Sequence, residues 1–213
     1  MSNTQKLLRE LSFIFDENNN DSYLSIYLSL EDRNKEKTIG RRLQQIKYVI
    51  DDKKVHERIE TAVERSFEIA KQKKSSARSM AIFIHLDSDK EWIKEIGANI
   101  DTSMTLDASP YILPLARFSD DYDRFILLMI DGKNAKIHYV EDAFAIEESN
   151  LSHNAIGRHR KGGWSQMRYQ RNREGVVKAF YDKVSEELDE LIRSWVFKSI
   201  NCLELDSKEE TDY

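Results

Sequence analysis

The residues that could do chemistry are concentrated between Gly157 and Arg171, where the chain reads GRHRKGGWSQMRYQR. Three of the seven glycines in the chain, Gly157, Gly162 and Gly163, fall within seven positions of this segment. Glycine permits backbone conformations and close approaches that a Cβ atom would block. The spacing therefore predicts a loop whose backbone comes close to another molecule.

The charge of the same segment indicates what kind of molecule that is. Residues 158–173 include six Lys and Arg residues and no Asp or Glu, although the whole chain carries a formal net charge of -5. Local positive charge on an acidic protein favours a docking face for a polyanion such as RNA. A cationic glycine loop that leads into a helix also offers free backbone N–H groups for phosphate contact.

Other chemistry is disfavoured by the motifs that are missing. The loop has neither the Gly-x-x-x-x-Gly-Lys-Ser/Thr pattern nor the Gly-x-Gly-x-x-Gly pattern of nucleotide-binding loops. His153 and His159 lack Cys or acidic partners at a metal-binding spacing. We therefore expect no cofactor and no metal at this loop.

One alternative that uses a metal stays open. Acidic residues near predicted strand ends could gather around Mg²⁺ for phosphodiester cleavage, as in a nuclease. They are Asp131, Glu141, Asp142, Glu147 and Glu148. Such residues more often keep turns and sheet edges soluble, so a metal-dependent nuclease ranks behind an RNA-contacting loop.

Composition limits the class of protein that carries the loop. The chain has 213 residues, 40% hydrophobic and 33% charged, which is enough for one large domain or two small ones. No apolar run approaches the roughly 20 residues of a membrane span, and the amino terminus lacks a secretory pattern. The single cysteine, Cys202, cannot form an internal disulfide. We expect a cytoplasmic protein that does not enter a membrane; its oligomeric state is left open.

Hydrophobic periodicity predicts the elements that position the loop. The amino-terminal part should contain a helix over 7–15, a strand over 23–30, two helices over 43–50 and 55–70, and a strand over 79–86. The stretch 101–123 is irregular and contains both prolines, Pro110 and Pro114, so it is the candidate domain junction. A hairpin over 125–130 and 135–140, a third strand over 144–147 and a long helix with an apolar stripe from Val177 to Trp195 should follow. Residues 201–205 could begin another strand.

These elements predict a mixed α/β (α+β) protein of two domains. The expected divisions are an amino-terminal α/β domain over 1–118, a second domain with the glycine loop and long helix over 119–205, and an acidic tail over 206–213. Gly175 interrupts the long helix at a cost of about 1 kcal/mol relative to Ala, which predicts a bend or a loosened turn.

The loop sequence resembles that of the eukaryotic and archaeal class-1 peptide-chain release factors. Their middle domain carries Gly-Gly-Gln-Ser and, one residue later, Leu/Met-Arg-Phe/Tyr-x-Arg. Residues 162–171 read GGWSQMRYQR, which is the same frame with Trp164 in place of the glutamine. Release-factor-like proteins of bacteria and archaea, related to the peptidyl-tRNA hydrolases of ribosome rescue, have similar Gly-Gly-Trp-Ser-Gln loops. The segments 23–30, 79–86 and 110–115 also resemble their amino-terminal domain.

The resemblance implies a fold, a reaction and roles for individual residues. The second domain would be an RNase H-like sheet with a long helix, and the reaction would be hydrolysis of the ester in peptidyl-tRNA on the ribosomal large subunit. Gly162, Gly163 and Gln166 would form the catalytic core, with Trp164 beside them and able to stack on a base. The remaining loop residues would contact RNA: Arg158, His159, Arg160, Lys161, Ser165, Arg168 and Arg171.

Two departures from the release-factor pattern shape the functional prediction. The Asn-Ile-Lys-Ser element that takes part in stop-codon reading is absent, which favours ribosome rescue or quality control over decoding. The chain also ends soon after the long helix, so we expect a truncated or reduced middle domain. The predicted function is peptidyl-tRNA hydrolysis; the alternatives are a noncatalytic ribosome- or tRNA-binding module and, behind both, the nuclease.

Overall fold

The computed structural model describes residues 3–72, 76–88, 90–122, 124–131, 133–152 and 164–209. Two compact units are present. The amino-terminal unit comprises Ser2–Arg124 together with Glu141–Phe144, and the carboxy-terminal unit comprises Phe125–Val140 and Ala145–Tyr213. Both contain antiparallel strands and helices, so the predicted α+β class is confirmed.

The amino-terminal unit is built on a four-stranded antiparallel sheet. Its strands are β1 (Tyr23–Ser29), β2 (Ser79–His85), β3 (Glu91–Ile96) and β4 (Ser103–Asp107), in the order β3-β2-β1-β4. The helices are α1 (Asn3–Ser12), α2 (Lys35–Val49), α3 (Lys53–Lys71) and α4 (Leu113–Asp121). The predicted boundary after residue 118 falls within α4.

Helices cover both faces of this sheet, so the central strand is buried along its whole length. All seven residues of β1 are buried. Its even-numbered residues, Leu24, Ile26 and Leu28, join a core with Ile39 of α2 and Ile59 of α3. On the opposite face Tyr27 packs in a second core with residues of α1 and α4. The alternation of β1 therefore places one pair of helices on each side.

Two strands and one helix of this unit lie where no element was predicted. β3 was not predicted, and the stretch 101–123, predicted to be irregular, contains β4 and α4. Pro114 lies in the first turn of α4, where its missing N–H costs no helical hydrogen bond. Pro114 is therefore compatible with a helix that begins at Leu113.

The carboxy-terminal unit holds most of a three-stranded sheet and the long helix. The strands are β5 (Phe125–Ile130), β6 (Asn134–Glu141) and β7 (Phe144–Ser152), in the order β5-β6-β7, and the helix is α5 (Trp164–Glu209). β5 and β6 form the predicted antiparallel hairpin. Phe180 and Val184 of α5 are buried against Ala135, with Leu151 packed beside them.

The predicted strand over 201–205 is wrong, because these residues continue α5. No Gly or Pro occurs between residues 176 and 209, so the sequence contains no helix breaker there. Residues 206–209, assigned to the acidic tail, also belong to α5. The last four residues of that tail lie outside the described residues.

Candidate functional site

The helix α5 begins at Trp164, directly after the Gly162-Gly163 pair in the sequence. Its first turn contains no acidic residue. The first four N–H groups of a helix have no partner within it, and the helix dipole adds partial positive charge at this end. The start of α5 therefore suits a negatively charged ligand group, and it carries the motif predicted to contact RNA.

Helical register divides the motif residues between two sides of α5. With about 100° of rotation per residue, positions 164, 168 and 171 fall within about 60° of one another. Position 166 lies about 200° from position 164, on the side shared by position 173. In the helix, positions 164, 168 and 171 therefore share one side, and positions 166 and 173 share the other.

The structure describes the backbone of part of the predicted site. Trp164, Ser165, Gln166 and Arg168 occupy the first two turns of α5, and the side chain of Arg171 is exposed. The predicted loop residues Arg158, His159, Arg160, Lys161, Gly162 and Gly163 lie outside the described residues. Arg173 was not assigned to the predicted site, although its spacing of seven from Gln166 places the two residues on one side of a helix.

The body of α5 is held to the sheet at some distance from its start. Among its described side chains, Phe180 is the first that is buried, and Val184 is the second. The Trp195 ring then contacts Tyr139 of β6 edge-on, with centroids 5.2 Å apart. The rise from residue 164 to residue 180 is about 24 Å. Trp164 therefore lies more than four turns before Phe180, the first buried residue among the described side chains of the helix.

Gly175 lies between the motif and this packed region, and packing does not require it. A Cβ atom built there would meet nothing within 4 Å. We expect Gly175→Ala to raise the free energy of unfolding by up to about 1 kcal/mol, because Ala restricts the unfolded chain and favours helix. Thermal unfolding followed by circular dichroism measures the change; a lower midpoint would contradict the open space at this position.

Two acidic residues of the nuclease alternative, Asp131 and Asp142, have structural partners. The Asp131 carboxylate accepts hydrogen bonds from the backbone N–H of Lys133 at 2.6 Å and of Asn134 at 2.7 Å. The Asn134 side chain and these N–H groups lower the pKa of Asp131. Asp131 thus closes the β5–β6 turn, as Asp commonly does in turns.

Asp142 belongs to a buried cluster of the amino-terminal unit. Its carboxylate accepts hydrogen bonds from the Thr4 hydroxyl and, at 2.5 Å, from the Lys94 ammonium. Asp142 and Ala143 have φ values of 52° and 60°, and the Asp142 carbonyl accepts from Gly97 N–H at 3.0 Å. A charge buried with its partner in this way is structural. In the described part of the chain, no three His, Cys, Asp or Glu side chains are grouped as a metal site would require.

Comparison with known proteins finds that part of the chain is similar to release factors. Residues 110–200 match the model of one particular family, Bacterial archaeo-eukaryotic release factor family 10. This range contains the motif 157–171 and most of α5, so the resemblance predicted from the motif is confirmed.

A curated relative and two solved structures are also similar. The peptide chain release factor subunit 1 of Methanopyrus kandleri is 31% identical over 80 residues, which are 38% of this chain and 20% of that protein. The crystal structure of the archaeal translation termination factor aRF1 is 17% identical with a TM-score of 0.44, covering 93% of this chain and 55% of its own. A structure titled "Archaeal protein" is 13% identical with a TM-score of 0.42, covering 84% and 54%. The chain therefore spans a fifth of the curated relative and about half of each solved chain.

No helix among the described residues is both long and apolar enough to cross a membrane.

Proposed function

We propose that this protein acts on the ribosome in translation termination or rescue and hydrolyses the ester of peptidyl-tRNA on the large subunit. The observation that carries the proposal is the start of α5 at Trp164, within a Gly-Gly-Trp-Ser-Gln-Met-Arg-Tyr-x-Arg motif that lies inside the matched family range. The name of the M. kandleri relative, a peptide chain release factor, supports the same reaction class.

In the proposed mechanism the glycine loop enters the RNA to reach the ester, and the start of α5 supplies hydrogen-bond donors. Gly162 and Gly163 let the backbone approach an ester that lies within RNA. The Gln166 side-chain amide positions the attacking water, since it can both donate and accept hydrogen bonds. Backbone N–H groups at the start of α5 stabilise the charge that develops on the reacting oxygen.

In this proposal the two sides of α5 have different roles: one contacts RNA and the other faces the reacting ester. Arg168 and Arg171 hold phosphates on the side of Trp164, whose indole stacks on a base. Gln166 faces the reacting ester from the other side, where Arg173 supplies a further phosphate contact. Arg158, His159, Arg160, Lys161 and Ser165 complete the RNA contacts.

Trp164 favours one alternative function. It occupies the position of the release-factor glutamine, and an indole is larger than the side chain it replaces. A noncatalytic module that docks on the ribosome or tRNA through the same cations is therefore the second candidate.

Release of labelled peptide from peptidyl-tRNA, on ribosomes and on isolated large subunits, distinguishes these functions. We expect release of the peptide while the tRNA and the ribosomal RNA stay intact. Ribosome binding that weakens with salt, without release, would instead indicate the docking module. Cleavage of the RNA itself, abolished by a chelator when free RNA is the substrate, would indicate the nuclease.

A further inference from the structure

The solvent side of α2 is a cationic surface of the amino-terminal unit. Residues 33–50 contain six Lys and Arg residues and one Glu, although the whole chain carries a formal net charge of -5. Helical rotation of about 100° per residue brings positions 37, 41, 44 and 48 within about 60° of one another. They are Lys37, Arg41, Gln44 and Tyr48, and all four are exposed. This set, the α2 stripe, lies opposite the buried residues Ile39 and Ile46.

Ion pairs do not account for the charge of the α2 stripe. Among the described residues, Lys37 and Arg41 form no ion pair with an acidic side chain. Glu36, the one acidic residue of α2, lies about 100° from Lys37 and about 140° from Arg41 around the helix axis. The other acidic residues nearby in the sequence, at positions 31, 32, 51 and 52, lie beyond the two ends of the helix. Like charges four positions apart on a helix repel each other, so the fold gains no stability from this pair of cations.

The remaining cations of α2 have partners within the fold. The Lys35 ammonium and the Arg42 guanidinium each donate to a backbone carbonyl of the amino-terminal unit at 3.1 Å. Lys47 is ion-paired with Glu60 of α3. The two cations of the α2 stripe are therefore the ones that an anionic ligand can contact without breaking these bonds.

Tyr48 adds to the α2 stripe an aromatic ring that the fold does not bury. It is 91% exposed, the highest value among the large hydrophobic residues that the structure describes. A nucleobase that stacks on such a ring removes apolar area from water, and cations beside the ring hold the backbone of the same strand. The rise from Lys37 to Arg41 is about 6 Å, so these two side chains can reach neighbouring phosphates.

We propose that the α2 stripe binds a single strand of RNA. Lys37 and Arg41 contact phosphates, the Gln44 amide donates to an oxygen of a base or ribose, and Tyr48 stacks on an unpaired base. The distance from Lys37 to Tyr48 along the helix is about 16 Å, which is long enough for a few nucleotides. A single strand is favoured over a duplex because stacking on Tyr48 requires a base that is not already stacked between its neighbours.

This site is separate from the RNA contacts proposed for residues 157–171. The α2 stripe belongs to the amino-terminal unit, whereas residues 157–171 belong to the carboxy-terminal unit. Binding of RNA to the stripe therefore does not depend on the proposed hydrolysis. Both experiments below use the full chain with Arg168→Gln and Arg171→Gln, so that RNA contacts of the carboxy-terminal motif are weakened.

Photocrosslinking tests where the strand lies. The probe is a labelled oligouridine of about 12 nucleotides that carries 5-iodouridine, which crosslinks to aromatic rings in contact with it. We expect mass spectrometry of the digested complex to find the nucleotide on Tyr48. Tyr48→Ala should weaken oligouridine binding at least fivefold. Phe13→Ala, which removes a ring that is 81% exposed directly after α1, should change it less than twofold. Crosslinks that omit Tyr48, or absence of binding, would overturn the proposal.

Charge variants test the two cations by fluorescence anisotropy with the same oligouridine. Lys37→Gln with Arg41→Gln should weaken binding about tenfold and reduce the slope of log affinity against log salt by about 1.4, because two phosphate contacts are lost. Lys6→Gln with Arg117→Gln removes the same charge from exposed positions of α1 and α4, on the opposite face of the sheet, and should change affinity less than twofold. Equal weakening by the two double variants would overturn the proposal.

Thermal unfolding separates binding by these cations from a role in the fold. Lys37→Gln with Arg41→Gln removes no ion pair among the described residues and relieves a repulsion, so its midpoint should be no lower than that of the protein without these two changes. A lower midpoint would show that the fold uses the two cations, and it would overturn the proposal.

Discussion

Gly163→Ala is expected to lower the rate of peptide release about a hundredfold, with ribosome binding nearly unchanged. A methyl group at the second glycine would keep the backbone from its closest approach, and a displacement of about 1 Å can cost a factor of 10². Gln166→Ala should lower the rate by about 10² to 10³, the range found when one catalytic hydrogen-bond donor is removed. Single-turnover release from peptidyl-tRNA on large subunits measures both rates.

Matched changes in α5 serve as controls for these two variants. Gly175→Ala makes the same Gly-to-Ala change in open space, and Gln170→Ala removes an amide at the position that the release-factor motif leaves variable. Both should release peptide at rates within about threefold of the parent, since neither is assigned to the reacting groups. If Gln166→Ala releases peptide as fast as Gln170→Ala, the assignment of Gln166 fails even though the hydrolase function stands.

Gly97→Ala should destabilise the amino-terminal unit by about 3 kcal/mol. A Cβ atom at Gly97 would lie 2.4 Å from the Ala143 carbonyl oxygen and 2.6 Å from its carbon, both backbone atoms. Relief requires displacing the turn at Asp142 and Ala143, which also strains the bond from Gly97 N–H to the Asp142 carbonyl. Overpacking costs about 1–3 kcal/mol, and a lost hydrogen bond about 1 kcal/mol.

Urea unfolding followed by circular dichroism measures this loss, and hydrogen exchange on β1 and β2 assigns it to the amino-terminal unit. Gly40→Ala is the matched control, because it adds the same methyl group in the same unit where nothing lies within 4 Å. It should stabilise the protein by up to about 1 kcal/mol. Equal stabilities of the two variants would show that the turn moves freely.

The strands that could be predicted from the sequence are those whose apolar residues run together. β1, β2 and β5 are compact apolar segments, and the Asp131 turn marks the β5–β6 hairpin. β3 was missed because Glu91–Ile96 reads EWIKEI, with three charged residues in an edge strand that is only partly buried. β4 has five residues and one buried side chain, Met104, so its periodicity was too short to detect. In these cases pairing with neighbouring strands determines the structure more than the local pattern does.

The position of the candidate site in the chain could be predicted from the sequence, but the arrangement of its residues around the helix could not. Composition located the glycines and cations, and the apolar stripe from Val177 to Trp195 predicted a long helix after the loop. The assignment of positions 164 and 166 to opposite sides requires both residues to lie within α5, and the apolar stripe of the sequence begins only at Val177. Asp142 was predicted only as a weak metal ligand, since its contacts with Thr4 and Lys94 join residues far apart in the chain. No local pattern reports such contacts.

Helix α5 continues from Trp164 through Phe180. The number of residues between the motif and Phe180 therefore determines both the direction in which the motif faces around the helix axis and its distance from Phe180. Adding one residue between positions 171 and 180 would turn the motif by about 100° around the helix axis, so that position 168 would lie on a different side of the helix. Adding seven would turn it by only about 20° while moving it outward by about 10 Å. Insertions of different length would thus change mainly the direction or mainly the distance of the motif. The length of this helical segment therefore determines how the motif is presented to the molecule that it contacts.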